Sequence, residues 1–185
     1  VYRYRAVEDS YTYGTGSTAK TYTVGTTVDS STDGKQNPYY ADATAVTSSD
    51  GTATFTNNLV TTRFKVTKSW VGDDAWKLHD DIDHVTVKLQ HRSTEDGAWT
   101  DVPSGTYDLS AGKGWSHTWT DLPKIDGATG NDWEYRGVEV SYTLTADKGG
   151  ATVPASYATA DDPTSGTVGA YTYGSHAIAA AGDDP

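Results

Sequence analysis

RFKVTKSW, residues 63–70, is the stretch whose reading decides the fold. Strand alternation sends Phe64, Val66 and Trp70 to one face and Lys65, Thr67 and Ser69 to the other. Lys68 falls on the apolar face, between Val66 and Trp70. A charge directed at a core is heavily penalised unless it has a partner. The strand therefore raises the question of what Lys68 meets.

Outward from this stretch the same two-residue period recurs. HVTVKLQHR (84–92) alternates Val85, Val87 and Leu89 with polar neighbours, and GWSHTWTDLP (114–123) places Trp115 and Trp119 on one face. Strands are expected near 63–71, 84–92, 105–110, 115–120 and 133–145. Turns are marked by EDG (95–97), SAGKG (110–114) and KIDGATGND (124–132). Residues 146–185, rich in Gly, Ala, Ser, Thr and Asp, are expected to form irregular strands and long loops. No segment has the period of a long helix. Threonine and aromatic enrichment with frequent Gly and Asp makes the chain all-β.

The 185 residues suggest one or two domains. Hydrophobic content is 35% and mean hydropathy −0.61, yet 6 Trp and 13 Tyr supply bulk for a core. A net charge of −11 argues against nucleic acid or an anionic membrane as partner, because both would repel this surface. With no cysteine, disulfide scaffolds, zinc–thiolate sites and thiol catalysis are excluded. No apolar run approaches a membrane span, and Val1 does not open a signal peptide. If the protein is exported, its signal and any anchor are expected outside this sequence.

An internal repeat organises the chain. YRYRAVEDSYTY (2–13) matches WEYRGVEVSYTL (133–144) at seven of twelve positions, Tyr4 falling on Tyr135 at an offset of 131. That spacing is a whole domain rather than a solenoid unit. Residues 1–59 read as the latter part of one repeat, 60–62 as a short junction, and 63–185 as the following repeat, expected to lack its last strand. The junction LVTT (59–62) is too short to be flexible, so the neighbours should sit end to end with restricted bending.

Three polar residues occupy apolar registers. Lys68 is one. Asn57, in TATFTNNL, alternates in phase with Phe55 and Leu59. Glu8 is in phase with Tyr2, Tyr4 and Ala6, and its repeat counterpart Glu139 with Trp133 and Tyr135.

The ordered set VTKSW, VTVKLQ, LSAGKGWSHTWTDLPK and EYRGVEV, with TFTNNL in the preceding repeat, resembles the collagen-adhesin B-type (CnaB) domain. The resemblance covers residues 63–145 and only the YRYRAVE and TFTNNL segments of the N-terminal piece. It implies Ig-like (reverse-Ig) β-sandwiches in tandem, acting as stalks of Gram-positive surface adhesins and pili. It further implies a spontaneous isopeptide bond between a Lys on the first strand and an Asn on the last, promoted by a buried acid. Lys68 then takes the Lys position, Asn57 the Asn position, and Glu139 and Glu8 the acid position, with Asp108 in TYDLSAGKGW as the alternative acid.

The chemistry demands these residue types. Only a neutral amine attacks, and burial disfavours the ammonium form of a lysine. A carboxylic acid in apolar surroundings donates a hydrogen bond to the Asn carbonyl and takes protons from the amine. Ammonia leaves and an amide remains. No cofactor is needed, because proximity supplies the effective molarity. The reaction is self-directed and occurs once, so no enzyme is expected. Lys68 belongs with an Asn beyond residue 185, and Asn57 with a Lys before residue 1. The chain as it stands is expected to hold no closed bond, unless a neighbouring copy completes the sandwich.

Other readings are weaker. Lys68 could run its stem along Trp70 and form an ordinary salt bridge. GDDAWKLHDDIDH (72–84) lacks the spacing and central Gly of a calcium loop and reads as a solvated loop. The five histidines show no zinc spacing, so no metal is expected. Trp76 and Trp99 could instead bind host matrix protein or glycan, which is the alternative function; a domain appended to a secreted hydrolase is a third. Neighbouring repeats are the expected partners, and the expected location is extracellular, wall-anchored or secreted.

Overall fold

The structure is a computed structural model that describes residues 4–24, 36–41, 45–48, 52–94, 97–157, 165–168, 171–174 and 179–180. Tyr2, invoked above for the phase of Glu8, lies outside them. The strands are β1 (Tyr4–Val7), β2 (Ser10–Tyr13), β3 (Lys20–Thr23), β4 (Tyr39–Ala41), β5 (Ala45–Ser48), β6 (Asn57–Leu59) and β7 (Thr61–Thr67). They continue as β8 (Ile82–Arg92), β9 (Thr100–Leu109), β10 (Ser116–Pro123), β11 (Glu134–Leu144), β12 (Thr152–Tyr157), β13 (Ser165–Val168), β14 (Tyr171–Gly174) and β15 (Ala179–Ala180). Helix among the described residues is confined to 3₁₀ turns of three or four residues. The chain is all-β, and every pairing among the described residues is antiparallel.

Two layers enclose the core. One sheet runs β14–β13–β12–β11–β8–β9, with β15 also on β11; the other pairs β7 with β10. The alternation of HVTVKLQHR sets the inner face, with Val85, Val87 and Leu89 between 0% and 3% exposed. Each such side chain stabilises the fold by about 1.5–3 kcal/mol relative to exposure. From the opposite layer, β7 buries Thr62 and Phe64, half-buries Val66 and exposes Thr61, Arg63, Lys65 and Thr67. Gly137 on β11 faces β7, since a Cβ there would be in van der Waals contact with Val66 at 3.4 Å and Phe64 at 3.5 Å.

Three expectations need correction. Trp119 packs against the core from β10, but Trp115 precedes that strand at φ +53° and reaches the same cluster from the turn. Tyr4, assigned inward with Glu8, is 78% exposed, because among the described residues β1 pairs only with β5 and a two-stranded sheet encloses little. In the region expected to be irregular, β12 to β14 add a regular edge to the large sheet.

The repeat has a structural counterpart. β2 pairs β3 with Ser10 opposite Thr23, Tyr11 opposite Tyr22 and Thr12 opposite Thr21. β11 pairs β12 with Ser141 opposite Pro154, Tyr142 opposite Val153 and Thr143 opposite Thr152, each partner 131 positions on. In both hairpins the cross-strand threonine hydroxyls lie 3.0 Å apart. The junction is held from both sides: Val60 donates its N–H to the Pro38 carbonyl, and Lys124 donates to the Val60 carbonyl, each at 2.9 Å.

Candidate functional site

Lys68 follows the last residue of β7, and its N–H donates to the Trp115 carbonyl at 2.8 Å, keeping the chain in line past the strand end. The alternation therefore persists, and the side chain points inward with 13% exposure. Glu139 lies two residues beyond Gly137 on β11, hence on the face that meets β7. A register shift between Glu139 and Ser141 follows immediately, and such bulges re-aim side chains. The Lys68 Nζ meets Glu139 Oε2 at 2.9 Å, with the carboxylate side chain 11% exposed. The other carboxylate oxygen, Oε1, is buried and accepts no hydrogen bond among the described residues.

Aromatic rings cover the pair. Nζ lies 4.5 Å from the centre of the Trp70 ring, which meets Trp115 edge-on at 5.4 Å and stacks on His79 at 5.6 Å. His79 is fixed by Asp73, which accepts from its ring Nδ1 at 2.5 Å and from its backbone N–H at 2.9 Å. The second Asp73 oxygen accepts the Leu78 N–H at 2.7 Å. Sequence reasoning missed this support. Its signal is an acid at the mouth of a loop, whose oxygens organise backbone N–H groups.

The counterpart acid has a different companion. Glu8, just after β1, accepts from the Asn57 side-chain amide, Nδ2 to Oε1 at 2.8 Å. Its Oε2 is likewise buried without a partner among the described residues. Asn57 itself is exposed, contrary to its apolar register, because β4 and β6 form a two-stranded sheet. Lys68 and Asn57 thus occupy two sites. The seven extended residues of β7 between them span about 23 Å.

Asp108, the alternative acid, is on β9 with its side chain 51% exposed, accepting the Thr86 hydroxyl at 2.7 Å. Glu139, not Asp108, meets Lys68. Trp99 is occupied by the guanidinium groups of Arg92 and Arg136 at 4.7 and 4.3 Å, whereas Trp76 is 80% exposed. No group of three or more His, Cys, Asp or Glu suited to a metal occurs among the described residues. No helix there is long and apolar enough to cross a membrane.

Lys68 thus sets an amine against one oxygen of the buried Glu139 carboxyl, and Asn57 sets a carboxamide against one oxygen of the Glu8 carboxyl. Residues 64–154 match the family model described as the Cna protein B-type domain. No curated protein and no solved structure matches the chain.

Proposed function

Residues 64–154 are a Cna protein B-type domain, and from that premise we propose that the chain is a tandem stalk segment of a bacterial surface adhesin, held extracellularly by the wall or secreted. Each repeat is cross-linked by an isopeptide bond. The two half-sites are the observation that supports this: Lys68 on Glu139 and Asn57 on Glu8, with the glutamates 131 positions apart. The repeated hairpin register supports the tandem arrangement.

In the completed site the neutral Lys68 amine attacks the carboxamide carbon of an asparagine on a closing strand. The new C–N bond forms as the carboxamide nitrogen leaves as ammonia. Glu139 takes a proton from the amine and returns one to the departing nitrogen. Its Oε1, buried and unused, is where the asparagine would meet it. Asn131 is the last asparagine of the sequence, so the partner of Lys68 belongs to a following strand or a neighbouring copy. The bond joins the first and last strands, so a pulling force cannot peel either one away.

The test is the intact mass of a chain extended through the next asparagine-bearing strand. A deficit of one ammonia, lost in Lys68→Ala and in Glu139→Ala, is expected. An unaltered mass in folded protein overturns the cross-link. The exposed Trp76 favours a second reading, a binding module for host matrix protein or glycan. Retention on immobilised matrix proteins or glycans, lost on Trp76→Ala, would select it.

A further inference from the structure

KIDGATGND, read above only as a turn, has its own internal framework. Asp126 is 8% exposed; its side chain accepts the Ala128 N–H and the Thr129 hydroxyl, both at 2.9 Å. Its carbonyl accepts the Gly130 N–H at 2.6 Å, and its N–H donates to the Asn131 carbonyl at 2.9 Å. Ile125, 2% exposed, pins the loop to the core. Built this way, the loop turns three of its carbonyls outward in a fixed spacing.

All three are taken by the N-terminal segment. Tyr22 donates its hydroxyl to the Gly127 carbonyl and Lys20 its Nζ to the Thr129 carbonyl, each at 3.0 Å. The Gln36 N–H donates to the Gly130 carbonyl at 3.0 Å, and its side-chain amide to Asp132 at 2.6 Å. The Tyr13 ring lies so close to Gly127 that any Cβ there would fall 2.6 Å from it. Tyr22 is 3% exposed, so this hydrogen bond is sheltered from water.

We infer that loop 124–132 is a latch whose carbonyls bind the β2–β3 hairpin of the preceding segment, so that the joint is rigid and the hairpin owes its order to the loop. The receiving face is particular to this hairpin. At the equivalent positions of the β11–β12 hairpin, 131 residues on, Leu144, Ala151 and Val153 replace Tyr13, Lys20 and Tyr22. Neither the amine nor the phenol is present there. The latch therefore recognises a hairpin bearing Lys and Tyr at these places, which orders unlike repeats along a stalk.

The experiment uses the whole chain, with hydrogen exchange followed by mass spectrometry on residues 10–23. All six tryptophans lie between positions 70 and 133, so their emission reports only the C-terminal unit. In the double variant Lys20→Gln, Tyr22→Phe, exchange in the hairpin is expected to rise about tenfold or more with tryptophan emission unchanged. Gly127→Val should do the same from the other side. Exchange within twofold of the wild type in the double variant, with intact emission, overturns the latch. Neither readout involves the amide cross-link, so the two proposals fail separately.

Discussion

At the scale of the residue, the site holds a nearly enclosed charge pair. Lys68 and Glu139 are 13% and 11% exposed and 2.9 Å apart. Removing one partner strands the other, which costs about 3–5 kcal/mol, whereas replacing both with apolar groups is often neutral. Urea titration of the uncrosslinked chain should therefore show Lys68→Ala strongly destabilised and the pair Lys68→Met, Glu139→Leu near wild type. Equal losses in both would show that relieving the stranded Glu139 charge recovers no stability. Two histidines give the pH dependence. Burial lowers the affinity of His91 for a proton, against an opposing pull from Asp126; burial and then Lys113 lower that of His117. A histidine depressed in the fold binds fewer protons there than in the unfolded chain. Stability is thus full above the ordinary histidine value of about 6.5 and declines as pH falls below it. Melting temperatures from pH 7.5 to 5.5 should fall, and the double variant His91→Gln, His117→Gln should flatten the slope.

At the scale of the element, β7 and β8 were legible because each is inward on one side only, which preserves a period of two. β11 was harder. Tyr135, Arg136, Gly137 and Val138 are all buried, so alternation could not show which way Glu139 points. Contact with β7 decides it. Strand β9 hides another constraint. Its register with β8 slips between Lys88 and Gln90, Ser104 takes φ +58°, and a Cβ on Gly105 would meet the Val102 carbonyl at 2.8 Å and Leu89 at 3.1 Å. Gly105→Ala should therefore cost about 1–3 kcal/mol by overpacking, read as a lower urea midpoint with an unchanged slope. An unchanged midpoint would mean that the bulge relaxes freely.

At the scale of the whole molecule, the joint and the half-sites belong to one design. Lys68 and the latch lie toward opposite ends of β7, since Lys124 bonds Val60 just before the strand begins and Lys68 follows its end. In the proposed stalk, a load would pass through the latch, along β7 and into the Lys68 site. If the proposed cross-link forms, force spectroscopy on the extended chain should show no unfolding of that repeat at forces that open its Lys68→Ala form. Full extension at the same force in both would remove the mechanical role.

What the residues alone determined is the all-β class, the likeness of residues 2–13 to 133–144 and the inward lysine. Each follows from local rules: β-branched and aromatic composition, self-similarity, and alternation along a strand with one wet face. Which acid Lys68 meets, the exposure of Asn57, the Asp73–His79–Trp70 cover and the latch were decided only in three dimensions. Those contacts join residues as far apart in sequence as Tyr13 and Gly127, and their partners are chosen by layer packing and bulges, which no local periodicity encodes.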